Sequence, residues 1–446
     1  MSISRSIGLA FGAASTLIAC ATGSIDSDAP FLGPFDSGAP PAQDAARREA
    51  SAQDSAVKTP PRDAGREAMP EASLSDTFLS DDVDAEEPDS SDAGGPPPPD
   101  ASIFCKGTVA LAGGTSSSAF GASSVNGGAW TVTSLSAGSM SSNPALVPFG
   151  GGFVALFGAC ASNQLEFSQL TSSTWSAPAS AFATACAGPA EAVGPVGLAA
   201  VGTTLDSVYL GTDDDFFHGS YTATGWDCES DPLSPSDGSP SFGPSAPTVA
   251  TLGTSLVAAF DGSDGRLYTQ SLTSGVWAAA ESISGASVGT VPPTLIALTG
   301  GSSDLLLVYE NVGDNKLYAV TQTSGTWSAP MLTNVNAFTA APTSMAPTAG
   351  GGAVLVFLGT DGNAYGMTFD PAATTPWTAP VAIASGTTTL PSPPTIAAGI
   401  CGVDATAAFV QPGGIELVTI SSGAWSAPTV VPATASMTFA TIATSP

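Results

Sequence analysis

Three features of the 446-residue sequence predict an all-β fold, a seven-bladed β-propeller. First, the seven Trp residues recur at nearly even intervals of 45 to 51 residues, at positions 130, 175, 226, 277, 327, 377 and 425. Second, short apolar runs of strand length lie between them, and third, Gly, Asp and Asn bound those runs as turn residues. A period near 50 residues with four short strands per period is typical of propeller blades.

One repeat shows the four strands of a blade. The runs Pro293–Thr299, Asp304–Tyr309 and Lys316–Gln322 are rich in apolar and β-branched residues, and Thr326–Pro330 follows them. An aromatic residue in the third run precedes the Trp in six of the seven units. We expect these aromatic side chains to fill the space between neighbouring blades.

Proline and glycine distinguish the outer strands from the inner ones. The sequence Trp-Ser-Ala-Pro, as in Trp327–Pro330, places Pro in the fourth strand. A proline there predicts an edge strand, because it cannot donate a ladder hydrogen bond. The first strands, such as Gly194–Ala200, are uncharged and Gly-rich, which suits a crowded centre.

The two ends of the repeat region predict that the ring closes on itself. The first unit begins with second-strand material at Gly107–Gly113 and lacks an inner strand. One strand, Met437–Ile442, is left over after the last Trp unit. Pairing the leftover strand with the incomplete blade would complete seven blades and remove the free edges.

The segment before the repeats predicts export. Residues 1–20 read as a lipoprotein signal peptide, with a short apolar stretch followed by Leu17–Cys20, which resembles a bacterial lipobox. Cys20 would carry the lipid and anchor the chain in the outer membrane of the cell envelope; the alternative is an ordinary signal peptide in which Cys20 is incidental.

Residues 21–102 are rich in Asp, Ala, Ser and Pro and predict a disordered tether. The propeller is assigned to residues 103–446.

Charge narrows the possible partners. The chain has 9 Lys and Arg against 38 Asp and Glu, so it lacks a basic surface for nucleic acid or for anionic lipid. Contact with a membrane is expected through the lipid anchor alone.

The inventory of side chains also argues against catalysis. The single His, His218, has no Gly-x-Ser-x-Gly motif to serve a Ser-His-Asp site. No catalytic residue, cofactor or metal is assigned. Asp213–Asp215 and Asp261–Gly265 are interpreted as turns rather than metal loops. A propeller glycosidase with a carboxylate pair is the minor alternative.

Disulfides are compatible with export. Five cysteines follow Cys20, and their positions relative to the strands predict the pairs Cys105–Cys401 and Cys160–Cys186. Cys228 would then be left free.

Two repeats resemble blades of the fungal fucose-specific lectins and of related bacterial propeller lectins. The motifs are Asp264–Tyr268 followed by Gly275–Trp277, and Asp314–Tyr318 followed by Gly325–Pro330. The resemblance implies sugar sites between blades, with aromatic stacking platforms. Arg266 is the only Arg in the domain, so the repeated Arg-containing fucose sites of that family are not carried over. The candidate ligand-binding residues are Asp264, Arg266, Tyr268, Trp277, Asn315, Tyr318, Trp327, Tyr365 and Trp377.

These observations favour a multivalent, lectin-like propeller for neutral carbohydrates on the cell envelope. The main alternative is a non-catalytic scaffold for envelope proteins, and for any individual Trp the competing interpretation is a packing role between blades. The partners would accordingly be glycans or envelope proteins.

Overall fold

The computed structural model describes residues 107–445, except 136–139, 161, 183–190, 193, 213–214, 229–242, 244, 301–303, 335, 340, 385–389 and 401. The predicted signal peptide and tether lie outside this part, as do Cys20, Cys105, Cys186 and Cys401. Within the described residues, every element of regular secondary structure is a β-strand. None of these residues belongs to a helix long and apolar enough to cross a membrane.

The strands form seven antiparallel sheets, one for each predicted blade. The strands are, for blade 1, β1 (Thr108–Thr115), β2 (Ser118–Val125) and β3 (Thr131–Leu135); for blade 2, β4 (Ala145–Phe149), β5 (Gly152–Gly158), β6 (Leu165–Thr171), β7 (Thr174–Trp175) and β8 (Ala179–Ser180); for blade 3, β9 (Gly197–Val201), β10 (Thr204–Leu210), β11 (Phe216–Thr222) and β12 (Gly225–Cys228); for blade 4, β13 (Thr248–Leu252), β14 (Ser255–Asp261), β15 (Arg266–Thr273), β16 (Val276–Trp277) and β17 (Glu281–Ser287). They continue, for blade 5, with β18 (Thr294–Ala297), β19 (Leu305–Glu310), β20 (Leu317–Thr323), β21 (Thr326–Trp327) and β22 (Met331–Leu332); for blade 6, with β23 (Ser344–Pro347), β24 (Ala353–Leu358), β25 (Ala364–Phe369) and β26 (Val381–Ala384); for blade 7, with β27 (Thr395–Ala398), β28 (Ala405–Gln411), β29 (Gly414–Ser421), β30 (Ala424–Trp425) and β31 (Thr429–Val430); and with β32 (Phe439–Ser445), which returns to blade 1.

The C-terminal strand closes the ring as predicted. β32 pairs antiparallel with β1, from Thr108 opposite Ser445 to Gly114 opposite Phe439. The strand lies a few residues further along the chain than the predicted Met437–Ile442. The inner strands of successive blades are neighbours around the whole ring, in the order β32, β4, β9, β13, β18, β23, β27 and back to β32. The predicted seven-bladed fold is therefore confirmed.

The outer strand of several blades is divided at the Ser-Ala-Pro sequence. In blade 5, β21 ends at Trp327 and β22 begins at Met331, so Pro330 lies in the break instead of inside one continuous strand. The Ser328 hydroxyl accepts a hydrogen bond from the Thr321 amide at 3.0 Å. This bond supplies β20 with the acceptor that a continuous ladder would have provided. A proline-containing edge strand was predicted, but its interruption was not.

Hydroxyl groups join the inner strands of adjacent blades. The Thr251 hydroxyl donates to the Ala200 carbonyl at 2.8 Å, and Thr444 donates to Ala398 at 2.7 Å. Since neighbouring inner strands belong to different sheets, these bonds satisfy backbone groups that the ladders leave unpaired. These hydroxyl groups therefore link the inner strands of neighbouring blades.

The hydrophobic core is divided into seven clusters, and each cluster lies between two adjacent blades. Between blades 6 and 7, for example, Val354 and Val356 pack with Phe409 and Ile420. The blades are thus held together by side-chain packing around the ring, and the interfaces between blades are the places where pockets could open.

Candidate functional site

The regular spacing of Trp along the chain has a structural basis in the interfaces between blades. Trp175, Trp226 and Trp425 each contact the third strand of the preceding blade. A Cβ atom added to Gly121 of β2 would come within 2.5 Å of Trp175, and one added to Gly366 of β25 would collide with Trp425. The Trp226 ring lies 5.8 Å from the ring of Phe167. The prediction that aromatic side chains fill the spaces between blades is confirmed.

This packing covers part of each candidate stacking platform. Trp377 is only 7% exposed, while Trp277 and Trp327 are half-buried. The indole nitrogens of all three are buried without a hydrogen-bond partner among the described residues. The ring of Trp377 packs against Phe369 at 5.0 Å, and a role of Trp377 in ligand binding stays a prediction.

Six of the candidate residues lie in or beside three similar turns between the second and third strands of blades 4, 5 and 6. The turns are Asp264–Tyr268, Asp314–Tyr318 and Asp361–Tyr365. In each, the Tyr hydroxyl donates to the Asp carboxylate, at 2.9, 3.3 and 2.7 Å respectively. The other carboxylate oxygen accepts the amide two residues after the Asp. We call these the Asp–Tyr turns.

Hydrogen bonds within the Asp–Tyr turns shift the pKa values of their carboxyl and tyrosine groups. The hydrogen bond from Asn311 holds the pKa of Asp314 below its usual value, despite some desolvation. The bond from Tyr365 likewise lowers the pKa of Asp361, and the same bond raises the pKa of Tyr365. These carboxylates are therefore engaged within their own turns, where each acts chiefly as an acceptor for its neighbours.

The tyrosine rings of these turns pack against aromatic side chains of the second strand of the same blade. Tyr268 is 7% exposed, stacks on Phe260 at 6.0 Å and leaves no room for a Cβ at Gly262. Tyr365 stacks on Phe357 in the same way, at 5.6 Å. Burial raises the pKa of Tyr268 above its ordinary value. The Tyr268 ring is part of a cross-strand aromatic pair with Phe260, and its role as a ligand contact stays a prediction.

The polar residues of these turns remain accessible. The Arg266 side chain is 64% exposed and lies 3.5 Å from the Asp264 carboxylate. Asn315 is an exposed turn residue with a φ of 55°. The Lys316 ammonium lies 5.7 Å from the centre of the Phe338 ring. If these turns bind a ligand, the contacts come from their polar edges.

No metal centre is evident in the described part of the chain, which holds no group of three or more His, Cys, Asp or Glu side chains placed to bind an ion. Asp261 is the first residue of Asp261–Gly265, the sequence with a weak resemblance to a calcium-binding loop. Its carboxylate is buried and accepts a hydrogen bond from the Ser245 hydroxyl at 2.6 Å. Desolvation raises the pKa of Asp261, although the Ser245 bond opposes this. Asp261 therefore anchors a turn, in agreement with the interpretation from the sequence.

A cavity that the sequence did not reveal opens between blades 3 and 4. Its volume is about 260 Å³. The lining residues are Val201, Thr204, Asp206, His218, Ser220, Thr254, Leu256, Leu272, Ser274 and Gly275. They come from the strands and from the turns between strands 1 and 2 and between strands 3 and 4. Because turns alternate between the two ends of an antiparallel sheet, the cavity opens on the face opposite the Asp–Tyr turns.

A buried, hydrogen-bonded Asp–His pair lines this cavity. His218 is 2% exposed and Asp206 is 5% exposed. The His218 Nε2 atom lies 3.0 Å from Asp206 Oδ1. The imidazole ring also contacts Trp277 of blade 4, with the ring centres 5.5 Å apart and the planes nearly perpendicular.

In blades 2 and 4 to 7, the described residues at the corresponding positions form no such pair. Strand register relative to each Trp identifies the residues that correspond to Asp206 in blades 2 and 4 to 7, namely Val154, Val257, Leu306, Val354 and Thr406. The residues that correspond to His218 are Phe167, Thr269, Ala319, Gly366 and Leu417. The signal in the sequence was a carboxylate within a second strand that is otherwise uncharged, together with the only His of the chain.

One of the predicted disulfide cysteines lies within the described residues. Cys160 takes part in a disulfide. Its expected partner, Cys186, lies outside the described residues, as do Cys105 and Cys401. The connectivity therefore stays a prediction.

Comparison with solved structures finds proteins of similar architecture. A lectin from Burkholderia pseudomallei matches with a TM-score of 0.56 at 14% identity, covering 74% of this chain and 97% of that one. The fucose-specific lectin from Aleuria aurantia matches with a TM-score of 0.45 at 16% identity, covering 65% of this chain and 96% of that one. The Aleuria lectin is a six-bladed propeller, whereas this chain has seven blades. No family model and no curated protein sequence matches the chain. The similarity to the Burkholderia lectin supports the propeller fold.

Proposed function

We propose that the protein is a lectin-like propeller that binds neutral carbohydrates and does not catalyse a reaction. The cavity between blades 3 and 4 is the observation that carries this proposal. Its lining combines the hydroxyls of Thr204, Ser220 and Ser274 with the apolar side chains of Leu256 and Leu272. A sugar ring has the complementary composition, because hydroxyl groups surround faces made of C–H bonds.

The cavity suits a small ligand. A volume of about 260 Å³ lies just below the range of about 300 to 1,000 Å³ that is usual for drug-sized ligands. One sugar residue of a larger glycan is therefore the expected occupant, with the rest of the glycan extending outward. Val276, which follows the lining residue Gly275, is 70% exposed and offers that extension an apolar contact.

Charge selects against acidic ligands. Residues 101–446 contain three cations, Lys106, Arg266 and Lys316, against 20 acids, a net of −17. A domain of this charge repels sialylated or sulfated glycans at ordinary ionic strength. Neutral glycans incur no such penalty.

Known proteins of similar fold support the same assignment. The Burkholderia protein is a lectin, and the Aleuria protein is specific for fucose. We extend only carbohydrate binding to this chain. The exposed polar groups of Arg266 and Asn315 are proposed as secondary contacts, and several weak sites on one ring would bind multivalent glycans together.

The test is binding of the full-length protein to surfaces that carry dense neutral or sialylated glycans. We expect measurable binding to neutral glycans and weaker binding to their sialylated counterparts. If the protein binds no glycan, or prefers sialylated ones, the proposal fails, and a scaffold for envelope proteins becomes the leading alternative.

The proposal includes the location expected from the N-terminal sequence, an outer-membrane lipid anchor at Cys20. The Leu17–Cys20 sequence is its support. Cys20→Ala should move the protein from the membrane fraction to the soluble fraction of its host. Unchanged partitioning into detergent would argue against the anchor without affecting the assignment of the propeller.

A further inference from the structure

We propose that Asp206 and His218 form the recognition element of a single specialised sugar pocket between blades 3 and 4. This inference rests on the proposed carbohydrate-binding function and goes beyond it. It assigns the binding of one neutral sugar ring to one interface and to two named side chains, neither of which belongs to the sites expected from the sequence.

The repeats provide an internal control for the structural importance of this pair. The counterparts Val154, Val257, Leu306 and Val354 are as deeply buried as Asp206, all at 3% exposure or less. A stable second strand is therefore built in four other blades without any polar group at this position. The fold itself has no need of a carboxylate there.

Physical chemistry makes the pair costly as a purely structural feature. Removing a carboxylate and an imidazole from water carries a desolvation penalty that their mutual attraction often fails to repay. Replacing such pairs with apolar residues of similar volume is frequently neutral or stabilising. Apolar residues already occupy the Asp206 position in the neighbouring blades, so the pair is best explained by what it binds.

The location of the pair matches that role. Both side chains line the cavity, with the Ser220 side chain directly across the sheet from Asp206. Trp277 packs against His218 from blade 4 and restrains the imidazole. Preorganised polar groups bind a ligand better than mobile ones, because less conformational freedom is lost on binding.

The chemistry of the pair defines the class of ligand. The Asp206 carboxylate accepts hydrogen bonds from sugar hydroxyls, and the serine and threonine hydroxyls can donate or accept. Leu256 and Leu272 face the same space and provide the apolar surface for one face of the ring. An anionic sugar would be repelled by Asp206. The ligand is therefore one neutral pyranose ring with free neighbouring hydroxyls.

The experiment replaces the pair with the residues that blade 4 carries at the same positions. The variant is the full-length double substitution Asp206→Val and His218→Thr, which copies Val257 and Thr269. The matched control is Thr406→Val, at the Asp206 position of blade 7. The probes are methyl α-D-mannoside, methyl β-D-galactoside and methyl α-L-fucoside, with N-acetylneuraminic acid as the anionic comparison. Binding is measured by saturation-transfer NMR and calorimetry, and stability by thermal unfolding.

We expect at least one neutral probe to bind the parent and the Thr406→Val control with equal affinity. The double variant should bind about tenfold more weakly or worse, because hydrogen bonds to a charged group are lost, while its Tm stays within a few degrees of the parent. Asp206→Asn, which preserves the shape of the side chain, should also weaken binding.

Different failures lead to different conclusions. If the double variant and Asp206→Asn bind as well as the parent, the pocket assignment is overturned while carbohydrate binding by the protein stands. A large fall in the Tm of both variants would assign the pair to folding and overturn the inference. If the parent binds none of the neutral probes and no glycan surface, both the pocket and the proposed function are wrong.

Discussion

The interface between blades 6 and 7 and the interface between blades 3 and 4 use the same positions for different purposes. In the first, Trp425 packs on Gly366 and the neighbouring second-strand residue is Val354. In the second, Trp277 meets His218, and Asp206 replaces the valine. The first interface is a solid apolar core, whereas the second contains a polar cavity. Within a repeated architecture, a departure from the repeat therefore points more clearly to function than the repeat itself.

The Asp–Tyr turns are a feature that follows the repeat, in contrast to the Asp206–His218 pair, which departs from it. Their residues recur in three successive blades with nearly the same hydrogen bonds. Tyr268 and Tyr365 of these turns pack on the aromatic residues of their own second strands. Their recurrence therefore has a structural explanation within the blades, whether or not the polar edges of the turns bind a ligand.

The largest effect is expected from opening the ring, because both interfaces depend on its closure. Deleting residues 436–446 removes β32, which supplies the inner strand of blade 1 and buries Ala440, Ile442 and Ala443. Since a domain is stabilised by only about 5 to 15 kcal/mol in total, we expect loss of the cooperative unfolding transition or a fall in Tm of more than about 10 °C. Circular dichroism during heating measures this. A deletion variant that melts within a few degrees of the parent would show that the interfaces are stable without a closed ring.

A smaller effect is expected from disturbing the apolar interface alone. Gly366→Ala places a methyl group against the indole of Trp425, and overpacking of this kind costs about 1 to 3 kcal/mol. Gly413→Ala is the matched control, because no atom lies within 4 Å of its added Cβ. Urea unfolding should show destabilisation for the first variant and no loss for the second. Equal stability of the two variants would mean that Trp425 can move aside, and that the interface is less rigid than described.

The smallest effect is expected in the Asp–Tyr turns and should depend on pH. Tyr365→Phe removes the bond that does most to lower the pKa of Asp361. Because the folded-state pKa lies below the unfolded value of about 3.9, the stabilisation is present above that pH and is lost as pH falls through the folded-state pKa. We expect a loss of about 0.5 to 1 kcal/mol at pH 7, shrinking below about pH 4. Tyr318→Phe, with the longer bond of 3.3 Å, should lose less. A loss that does not change between pH 7 and pH 3 would attribute the effect to ring packing instead of the carboxylate.

Much of the fold could be predicted because it follows from local patterns. The predicted runs Asp304–Tyr309 and Lys316–Gln322 each lie within one residue of β19 and β20. Alternation, turn residues and proline act over a few positions and are read directly from the sequence. The division of the outer strand at Ser328–Pro330 was missed. It depends on a hydrogen bond from the Thr321 amide of β20 to the hydroxyl of Ser328, which lies in the break.

The candidate site was less predictable, because exposure depends on contacts between blades. The sequence placed aromatic side chains at the correct strands but could not show that Tyr268 lies against Phe260. It also contained His218 and Asp206 twelve residues apart without indicating that they meet. The spacing of two residues on adjacent strands does not indicate whether their side chains line the same cavity.

The sequence by itself determined the number of blades, the order of the strands and the closure by the C-terminal strand. These depend on the 50-residue period and on strand patterns within each period. Only the tertiary structure decided what each Trp packs against and where a polar cavity remains. Those outcomes depend on side-chain volumes from residues of adjacent blades that are far apart in the sequence, such as His218 and Trp277. In a closely packed interior, a change of a few atoms at one such contact decides between a filled core and a pocket.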